Sequence, residues 1–438
     1  MKQKPENKRR NAFIVTAVIL TVITLTVVAA LLSQKGPELN NTPTPMPTST
    51  STETPSMEPA ETPGPTPDAS PGATAPDSPS PAPSAGPEGQ DRRSSRKLDV
   101  PVKALYLNYT SVRNNLDHYI KLANETEINA YVIDIKNDAG QLMYDSELKM
   151  VNDAKADTPG FDIREVTKKL HDNNIIVIAR MVTFKDSTIT KAHPDMAIKT
   201  ASGAVFNNKS MWLDATKQEA RDYIVSIAKE AVQFGFDEIQ FDYIRFPETS
   251  LYDYKLDLKP DQTRSDVIEE FIRYARNSLP EDTILSADVF GMPLISTKDY
   301  GEIGQTLETI GASLDYICPM IYPSHFANNA SKGSMANGVG QRINGVLFTH
   351  PDLKPYEVVY NTLLVGKDRI DKKEGYNLNV RSYIQGFTAS YLPKGYWMEY
   401  GVSAYKQQIK AVYDAGYTEW IFWNAPNDYI EAAFGPES

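Results

Sequence analysis

The sequence predicts a (β/α)8 barrel, a TIM-type α/β fold, in residues 99–438. Eight short runs of β-prone residues recur there, and most are separated by stretches with helical periodicity. Strands that alternate with helices indicate a parallel sheet, and eight repeats favour a closed barrel over an open sheet. No glycine-rich phosphate loop follows the first run, which disfavours an open nucleotide-binding sheet. A length of about 340 residues suits a barrel with insertions.

The strands and helices follow one another in order along this region. The predicted strands are Val102–Asn108, Ile128–Lys136, Ile175–Phe184, Glu238–Phe246, Leu285–Phe290, Tyr316–Tyr322, Arg381–Thr388 and Glu419–Asn424. The predicted helices are Leu116–Ala123, Ile163–His171, Lys217–Phe234, Asp266–Ser278, Ile303–Ile310 and Ala404–Ala415. The third helix has a candidate cap at Asp214 or Thr216, where Glu219 would complete a capping box on Thr216. Two long connections, about 185–215 and 325–380, are expected at the C-terminal face, where barrels build substrate clefts.

Residues 1–35 are predicted to form a cytoplasmic basic tail and a transmembrane signal anchor. The uncharged run from Ala12 to Leu32 is long enough, at about 20 residues, to span a bilayer as a helix. The basic cluster before it puts the N-terminus in the cytoplasm and the rest of the chain outside. A cleaved signal peptide is the alternative, because Val28-Ala29-Ala30 resembles a small-residue cleavage site. Under either hypothesis the barrel is extracytoplasmic.

Residues 36–98 are predicted to be a disordered linker between the anchor and the barrel. They consist mainly of Pro, Thr, Ser, Ala and Glu and contain almost no large apolar side chains. Such a composition buries too little apolar surface to offset the entropy of ordering. The prolines favour an extended spacer, which suits either a stalk through a cell-wall layer or a passive linker.

Charge and cysteine content exclude several classes of protein. The net charge is −11 although the first ten residues are basic, so the body is acidic and a nucleic-acid partner is not expected. The single cysteine, Cys318, excludes an intramolecular disulfide and a cysteine-cluster metal site. Cys318 lies in an apolar strand pattern and is interpreted as a small core residue.

The chemistry is expected at the C-terminal ends of the predicted strands. Active sites of parallel barrels form there, and a charged group on the inner face is costly unless it is paired or functional. Asp242 ends the fourth strand and Asp288 lies on the fifth, so they are the leading catalytic pair. Glycoside hydrolysis uses two carboxyl groups, one as the acid and one as the nucleophile or base. Asp242 suits the second role, since Arg180 or Arg245 can hold it ionised, and Asp288 suits the first.

Other polar and aromatic residues near the strand ends are candidates for binding the substrate. Asp134 and Lys136 are two apart on the second strand and are expected to share a face, as are Gln240 and Asp242 on the fourth. Aromatic planes stack on the C–H faces of sugars, so aromatic residues at the same end fit a sugar site. The candidate set is Asp134, Lys136, Arg180, Gln240, Arg245, Tyr322, His325, Gln385 and Trp423.

Alternatives to this hypothesis stay open. Asp242 and Asp288 could pair with Arg180 and Lys136 in a buried network without chemistry. Asp134 or Glu248 could replace either acid. The five histidines show no H-E-x-x-H spacing and no G-x-S-x-G elbow occurs, so neither a metal or other cofactor nor a serine nucleophile is predicted. A divalent ion at Asp134 or Asp138 is compatible with the sequence.

The segment Gly235–Pro247 (GFDEIQFDYIRFP) resembles the signature of the putative glycosyl hydrolase domain family. Further matching segments are Lys103–Tyr106, Ala130–Asp138, Ile178–Val182, Trp212–Asp214, Ser286–Gly291, Pro319–Phe326, Arg381–Phe387 and Trp420–Asn424. The resemblance covers residues 100–432 and implies a barrel distantly similar to α-amylase-like hydrolases. Those enzymes carry an aspartate nucleophile on strand four, matching Asp242. They carry a glutamate acid on strand five, where this chain has Asp288.

The sequence therefore predicts a membrane-anchored, extracytoplasmic glycoside hydrolase that acts on a cell-wall or envelope polysaccharide. The alternative is a non-catalytic carbohydrate-binding barrel that tethers such a polymer to the membrane. A binding module needs only the aromatic groove, whereas catalysis needs both acids at one glycosidic oxygen. A peptidase or deacetylase is a third hypothesis, and the absence of a metal-ligand pattern in the sequence disfavours its metal-dependent forms.

Overall fold

The computed structural model describes residues 96–158, 161–248, 253–329 and 339–435. The predicted anchor Ala12–Leu32 and all but the last residues of the linker 36–98 lie outside this part of the chain. Within the described residues, no helix combines the length and apolar character needed to cross a bilayer.

Eight parallel strands close into a barrel, which confirms the predicted fold. In chain order the strands are β1 Lys103–Leu107, β2 Ala130–Lys136, β3 Ile176–Val182, β4 Glu238–Asp242, β5 Ile284–Phe290, β6 Tyr316–Ile321, β7 Gln341–Ile343, β8 Val346–Phe348, β9 Asn379–Val380, β10 Ser382–Gln385 and β11 Trp420–Trp423. Strands β1 to β6 are neighbours in sequence order, β10 pairs with β6 and β11, and β11 pairs with β1. Each predicted strand overlaps one barrel strand.

Three strands lie outside the eight-stranded ring or extend it. Strands β7 and β8 form a short antiparallel pair, and β9 adds to β6 beside β10. The connection that contains β7 and β8 is the long one predicted after the sixth strand, so it has secondary structure of its own.

Helices pack around the outside of the barrel. They span Tyr109–Glu125, Lys149–Ala154, Ile163–His171, Ser187–Ala192, Gln218–Gln233, Arg264–Ser278, Met292–Ile295, Leu307–Ile310, Pro355–Lys372 and Val402–Asp414. The helix Pro355–Lys372 was not predicted and lies within the long connection 325–380. Glycine disfavours the interior of a helix, and the sequence has Gly366 there. The structure gives the reason for this glycine, because an added Cβ would lie 2.8 Å from the Leu294 side chain.

The predicted cap of the helix after the third strand is wrong. The helix begins at Gln218, and Lys217 is its N-cap without a side-chain hydrogen bond. The Asp214 carboxylate instead accepts hydrogen bonds from the backbone N–H and the hydroxyl of Thr216, which closes a turn before the helix. Asp214 therefore shapes the entry to the helix rather than its first turn.

The barrel interior is polar along its axis. Near the N-terminal ends of the strands, Arg381 donates to Glu238 at 2.7 Å and to Glu419 at 2.8 Å, and all three side chains are buried. One layer above, the Tyr383 hydroxyl donates to Gln240 Oε1 at 2.6 Å. Successive inward residues of β4 thus give Glu238, Gln240 and Asp242, and the last of them reaches the C-terminal face.

Candidate active site

A cavity of about 690 Å³ opens at the C-terminal ends of the barrel strands. Active sites of this fold occupy the same face. Its charged lining residues are Asp134, Asp138, Arg180, Asp242, Arg245, Glu248 and Asp288. Its aromatic lining residues are Tyr106, Tyr243, Phe290, Tyr322, His325, Phe326, Tyr383 and Trp423. A site of this size lined by rings and convergent carboxyl groups suits an organic ligand with several hydroxyl groups.

Arg180 on β3 links the carboxyl groups of three strands. Its guanidinium donates to Asp134 on β2 through Nη1 and to Asp242 on β4 through Nη2, and Nε lies 3.0 Å from Asp242 Oδ2. The same Nε lies 3.8 Å from Asp288 Oδ2 on β5. Parallel register places these residues together, since Asp134 is opposite Arg180 and Asp242 is opposite Val182, two residues further along β3. One cation thus faces three carboxyl groups, so the cluster favours retention of a proton on one of them.

Asp242 is held by hydrogen bonds that a carboxylate accepts. Besides the bonds from Arg180, its Oδ1 accepts the backbone N–H of Tyr243 at 2.6 Å. Tyr243 has a φ of 48°, in the left-handed region that non-glycine residues rarely adopt. This turn ends β4 and aims the Tyr243 N–H at Asp242. Backbone strain of this kind is concentrated at functional sites.

Asp288 has a different environment and suits the protonated role. It is 2% exposed, and its Oδ1 has no hydrogen-bond partner among the described residues. Burial raises the pKa of Asp288 well above its ordinary value, and the nearby Asp242 carboxylate raises it further. A carboxylic acid that keeps its proton at neutral pH can donate it to a leaving group.

The two carboxyl groups are close enough to act on one bond. Because both Oδ2 atoms are measured to the same Arg180 Nε, at 3.0 and 3.8 Å, they are no more than about 6.8 Å apart. Retaining glycosidases hold the groups about 5–5.5 Å apart and inverting ones about 6.5–9.5 Å. The spacing is therefore compatible with direct attack by Asp242.

Asp134 completes the charged cluster and binds an unpredicted tyrosine. The Tyr106 hydroxyl donates to Asp134 Oδ2 at 2.6 Å, while Oδ1 accepts from Arg180. Burial raises the pKa of Asp134, and Arg180 opposes that rise. Asp134 therefore holds Tyr106 and the arginine that binds Asp242, which gives it a supporting role.

An aromatic wall stands beside the acids. The ring of Trp423 stacks on Tyr322 at 5.7 Å and on Tyr106 at 6.3 Å between centroids. His325 is exposed and meets Tyr322 edge-on at 5.1 Å, and partial desolvation by the cavity walls lowers the pKa of His325, so its imidazole is largely neutral at pH 7. The wall is uncharged and planar, as stacking on a sugar face requires.

Three candidates from the sequence lie outside the cavity lining. Lys136 is fully buried and pairs with Asp186 at 2.9 Å, because a register shift between Asp134 and Lys136 breaks the expected alternation. Gln240 lies deeper, under Tyr383. Gln385 accepts from the backbone N–H and the hydroxyl of Ser324 and donates to Asp352, so it braces loops.

The other candidates converge on the cavity: Asp134, Arg180, Asp242, Arg245, Asp288, Tyr322, His325 and Trp423. The hypothesis of a buried network that contains Lys136 fails for that residue, since its ammonium contacts Asp186 and the carbonyl oxygen of Val182. Tyr106 and Tyr383 were missed, although both lie on inward positions of their strands. The same period-2 alternation that selected Asp242 could have identified both tyrosines.

No group of three or more His, Cys, Asp or Glu side chains suited to a metal ion occurs in the described ranges. Asp138, one of the two residues considered as a ligand for a divalent ion, pairs with Lys185 at 2.6 Å.

Comparison with known proteins identifies a family and a similar fold. A family model described as "Putative glycosyl hydrolase domain" matches residues 104–429. The glycoside hydrolase domain of PgaB (BpsB) from Bordetella bronchiseptica superposes with a TM-score of 0.51 at 13% identity, covering 77% of this chain and 100% of that chain. This likeness shows the fold.

Two further structures are similar over part of the chain. A hypothetical protein from Ruminiclostridium thermocellum ATCC 27405 is 42% identical, with a TM-score of 0.40, over 42% of this chain and 97% of that chain. A chitinase from Bacteroides thetaiotaomicron is 10% identical, with a TM-score of 0.43, over 77% of this chain and 96% of that chain. No curated protein matches the chain.

Proposed function

The chain belongs to the putative glycosyl hydrolase domain family, and on that premise we propose that it hydrolyses O-glycosidic bonds of a polysaccharide with Asp242 and Asp288. One observation carries the proposal. A single arginine, Arg180, contacts two carboxyl groups with opposite environments, one accepting three hydrogen bonds and the other buried with an unpartnered oxygen. Two carboxyl groups with separated roles are the machinery of glycoside hydrolysis.

The reaction follows from those environments. The Asp242 carboxylate attacks the anomeric carbon and forms a glycosyl ester, while Asp288 gives its proton to the departing glycosidic oxygen. Water then attacks the anomeric carbon while Asp288 takes a proton from it, the carbon–oxygen bond to Asp242 breaks, and the free sugar and the Asp242 carboxylate are released. Arg180 keeps Asp242 oriented for attack, and Asp134 holds Arg180 from the other side.

The aromatic wall supplies the binding surface in this proposal. A sugar ring packed on Trp423 would bring its anomeric carbon over the acids, since Trp423, Asp242 and Asp288 line one cavity. The neutral His325 offers a donor and an acceptor to hydroxyl groups. A polymer is the proposed substrate because a smaller lobe adjoins the cavity and shares Glu248, Phe290, Met292 and Gln305 with its lining.

The location of the enzyme is part of the proposal. The run Ala12–Leu32 would anchor the chain as a single-pass segment in the cell membrane, with residues 36–98 as a spacer and the barrel on the extracytoplasmic side. The substrate would then be a wall or envelope glycan within reach of the spacer.

The test is release of reducing ends from a panel of purified wall polysaccharides by the full-length chain. The Asp242→Asn variant removes the nucleophile and keeps the size of the side chain. Asp237→Asn is the matched control, because Asp237 lies at the other end of β4 and pairs with His171 at 2.9 Å.

We expect release by the wild type and by Asp237→Asn, and a loss of about 10³-fold or more in Asp242→Asn. Equal release by all three proteins would overturn the assignment of Asp242. Glycan binding without release by any of them would favour the non-catalytic barrel.

A further inference from the structure

The buried arginines Arg180, Arg276 and Arg381 are paired with carboxylates, whereas the half-buried Arg245 at the cavity has no such pair among the described residues. Arg180 binds Asp134 and Asp242, and Arg381 binds Glu238 and Glu419. Arg276, near the N-terminal ends of the strands, binds Asp315. Arg245 lines the cavity, yet no carboxylate of the described residues lies within ion-pair distance of it. Even partial withdrawal of a guanidinium from water without an anion has a cost, which a bound anion would offset.

Three aromatic rings hold Arg245 in place without neutralising it. Its guanidinium carbon lies 5.0 Å from the ring centroid of Trp212, 5.3 Å from Tyr243 and 5.1 Å from Phe290. Among the described residues, its hydrogen bond to protein runs from Nη1 to the carbonyl oxygen of Phe246 at 3.0 Å. The rings orient the planar fork, and the remaining N–H donors are available to a bound molecule. Burial lowers the pKa of Arg245, as expected for a cation that lacks a full counter-charge.

Arg245 stands where the main cavity continues into a smaller lobe. This lobe has a volume of about 250 Å³ and shares four lining residues with the main cavity: Glu248, Phe290, Met292 and Gln305. Phe290, which contacts the Arg245 guanidinium, therefore lines both spaces. The lobe adds Lys298 and the exposed Tyr300, so a second cation and a ring follow Arg245 along the cleft.

The charge distribution in the cleft is asymmetric. The rings of Tyr106, Tyr322 and Trp423 line the main cavity, whereas Lys298 lines the smaller lobe. Glu248 lines both spaces, and Glu248 and Asp242 act on Arg245 from beyond ion-pair distance. Arg245 and Lys298 therefore supply the positive charge near the junction of the two spaces.

We propose that Arg245 recognises an oxyanionic substituent of the glycan at the junction of the two spaces. The substrate class is then an acidic polysaccharide, with a carboxylate, sulfate ester or phosphate ester on the sugar next to the one on Trp423. The guanidinium would bind two oxygens of that group side by side. This inference rests on the proposed function, because it names the substrate of the same cavity.

The experiment is calorimetric titration of the full-length Asp242→Asn variant, which binds without cleaving. The probes are a tetrameric oligouronate, the same oligouronate with its carboxyl groups reduced to alcohols, and sulfated and phosphorylated neutral tetrasaccharides. Each probe is repeated in the Asp242→Asn background with Arg245→Gln and with Arg245→Lys. Melting temperatures of all variants report whether loss of the aromatic contacts unfolds the loop.

We expect at least one acidic probe to bind about tenfold or more tighter than its neutral counterpart. Arg245→Gln should remove this difference, and Arg245→Lys should keep part of it. The sulfated and phosphorylated probes decide which oxyanion is preferred.

Two results would overturn the inference. The first is equal affinity for charged and neutral probes, together with equal hydrolysis of neutral glycans by the wild type and by Arg245→Gln with Asp242 intact. This result would remove the inference and leave the proposed function standing. Binding of no probe by any variant, together with no hydrolysis by the wild type, would remove both.

Discussion

Replacing Arg180 by methionine should destabilise the fold and abolish activity together. The substitution keeps much of the side-chain volume but removes the hydrogen bonds to Asp134 and Asp242. Removing one partner of a buried ion pair costs about 3–5 kcal/mol, because the other charge stays buried and unpaired. Two carboxylates lose their partner here, so we expect a loss of stability at the upper end of that range at pH 7.

The loss of stability in Arg180→Met should be larger at pH 7 than at pH 4. Burial already raises the pKa of Asp134 although Arg180 opposes it, so removal of Arg180 raises that pKa further. A raised pKa in the folded state penalises folding as pH rises through it, and the penalty vanishes below the unfolded value. The cost of Arg180→Met should therefore shrink from pH 7 towards pH 4.

Urea unfolding at several pH values measures this effect, and reducing-end assays measure activity. Arg276→Met is the matched control, because Arg276 is buried and paired with Asp315 at the other end of the barrel. It should lose comparable stability and keep its turnover below the melting temperature. A loss in Arg180→Met below about 1 kcal/mol, or one that is the same at pH 4 and pH 7, would refute the reasoning.

Two further predictions concern the same cavity, and a third concerns the loop at Gly140. Asp288→Asn should lower kcat by about 10²- to 10⁴-fold. Since burial raises the pKa of Asp288, folding is penalised as pH rises above the unfolded value, so this variant should melt higher than the wild type at pH 8 and equally at pH 4. Hydrolysis should proceed with retention of anomeric configuration, seen as the first product anomer by proton NMR, and an inverted first product would show a longer carboxyl spacing in the complex. Gly140→Ala should lower the free energy of unfolding, measured in urea, by more than about 1 kcal/mol. Gly140 has a φ of 91°, and a Cβ there would meet Asp186, the partner of Lys136. Unchanged stability would show that the loop adjusts to the added Cβ.

Much of the barrel was predictable because strands and helices differ in period. Residues at the ends of parallel strands meet at one edge, so Asp134, Arg180, Asp242 and Asp288 could be grouped before any coordinates. Lys136 was misplaced because a shift in the pairing of β2 with β3 follows Asp134. A shift of this kind leaves no mark in the alternation of residue types.

The sequence does not show which charged side chains pair with each other across the barrel. Arg381 and Glu238 are 143 positions apart, and their ion pair depends on closure of the ring. For the same reason, the sequence placed Arg245 near the site but could not show that no carboxylate of residues 96–158, 161–248, 253–329 and 339–435 pairs with it. Gln385 was assigned to the site by its strand position, yet the loop residues Ser324 and Asp352 engage it.

The central claim is that Asp242 is the nucleophile and Asp288 the acid. Its most direct test is chemical rescue of Asp242→Ala by azide on an activated glycoside of the cleaved sugar, with product configuration read by NMR. We expect azide to restore cleavage and to yield a glycosyl azide of inverted configuration, because the azide anion occupies the space of the missing carboxylate. Full activity of Asp242→Ala without azide, or no rescue while Asp288→Ala gives the inverted azide instead, would contradict it.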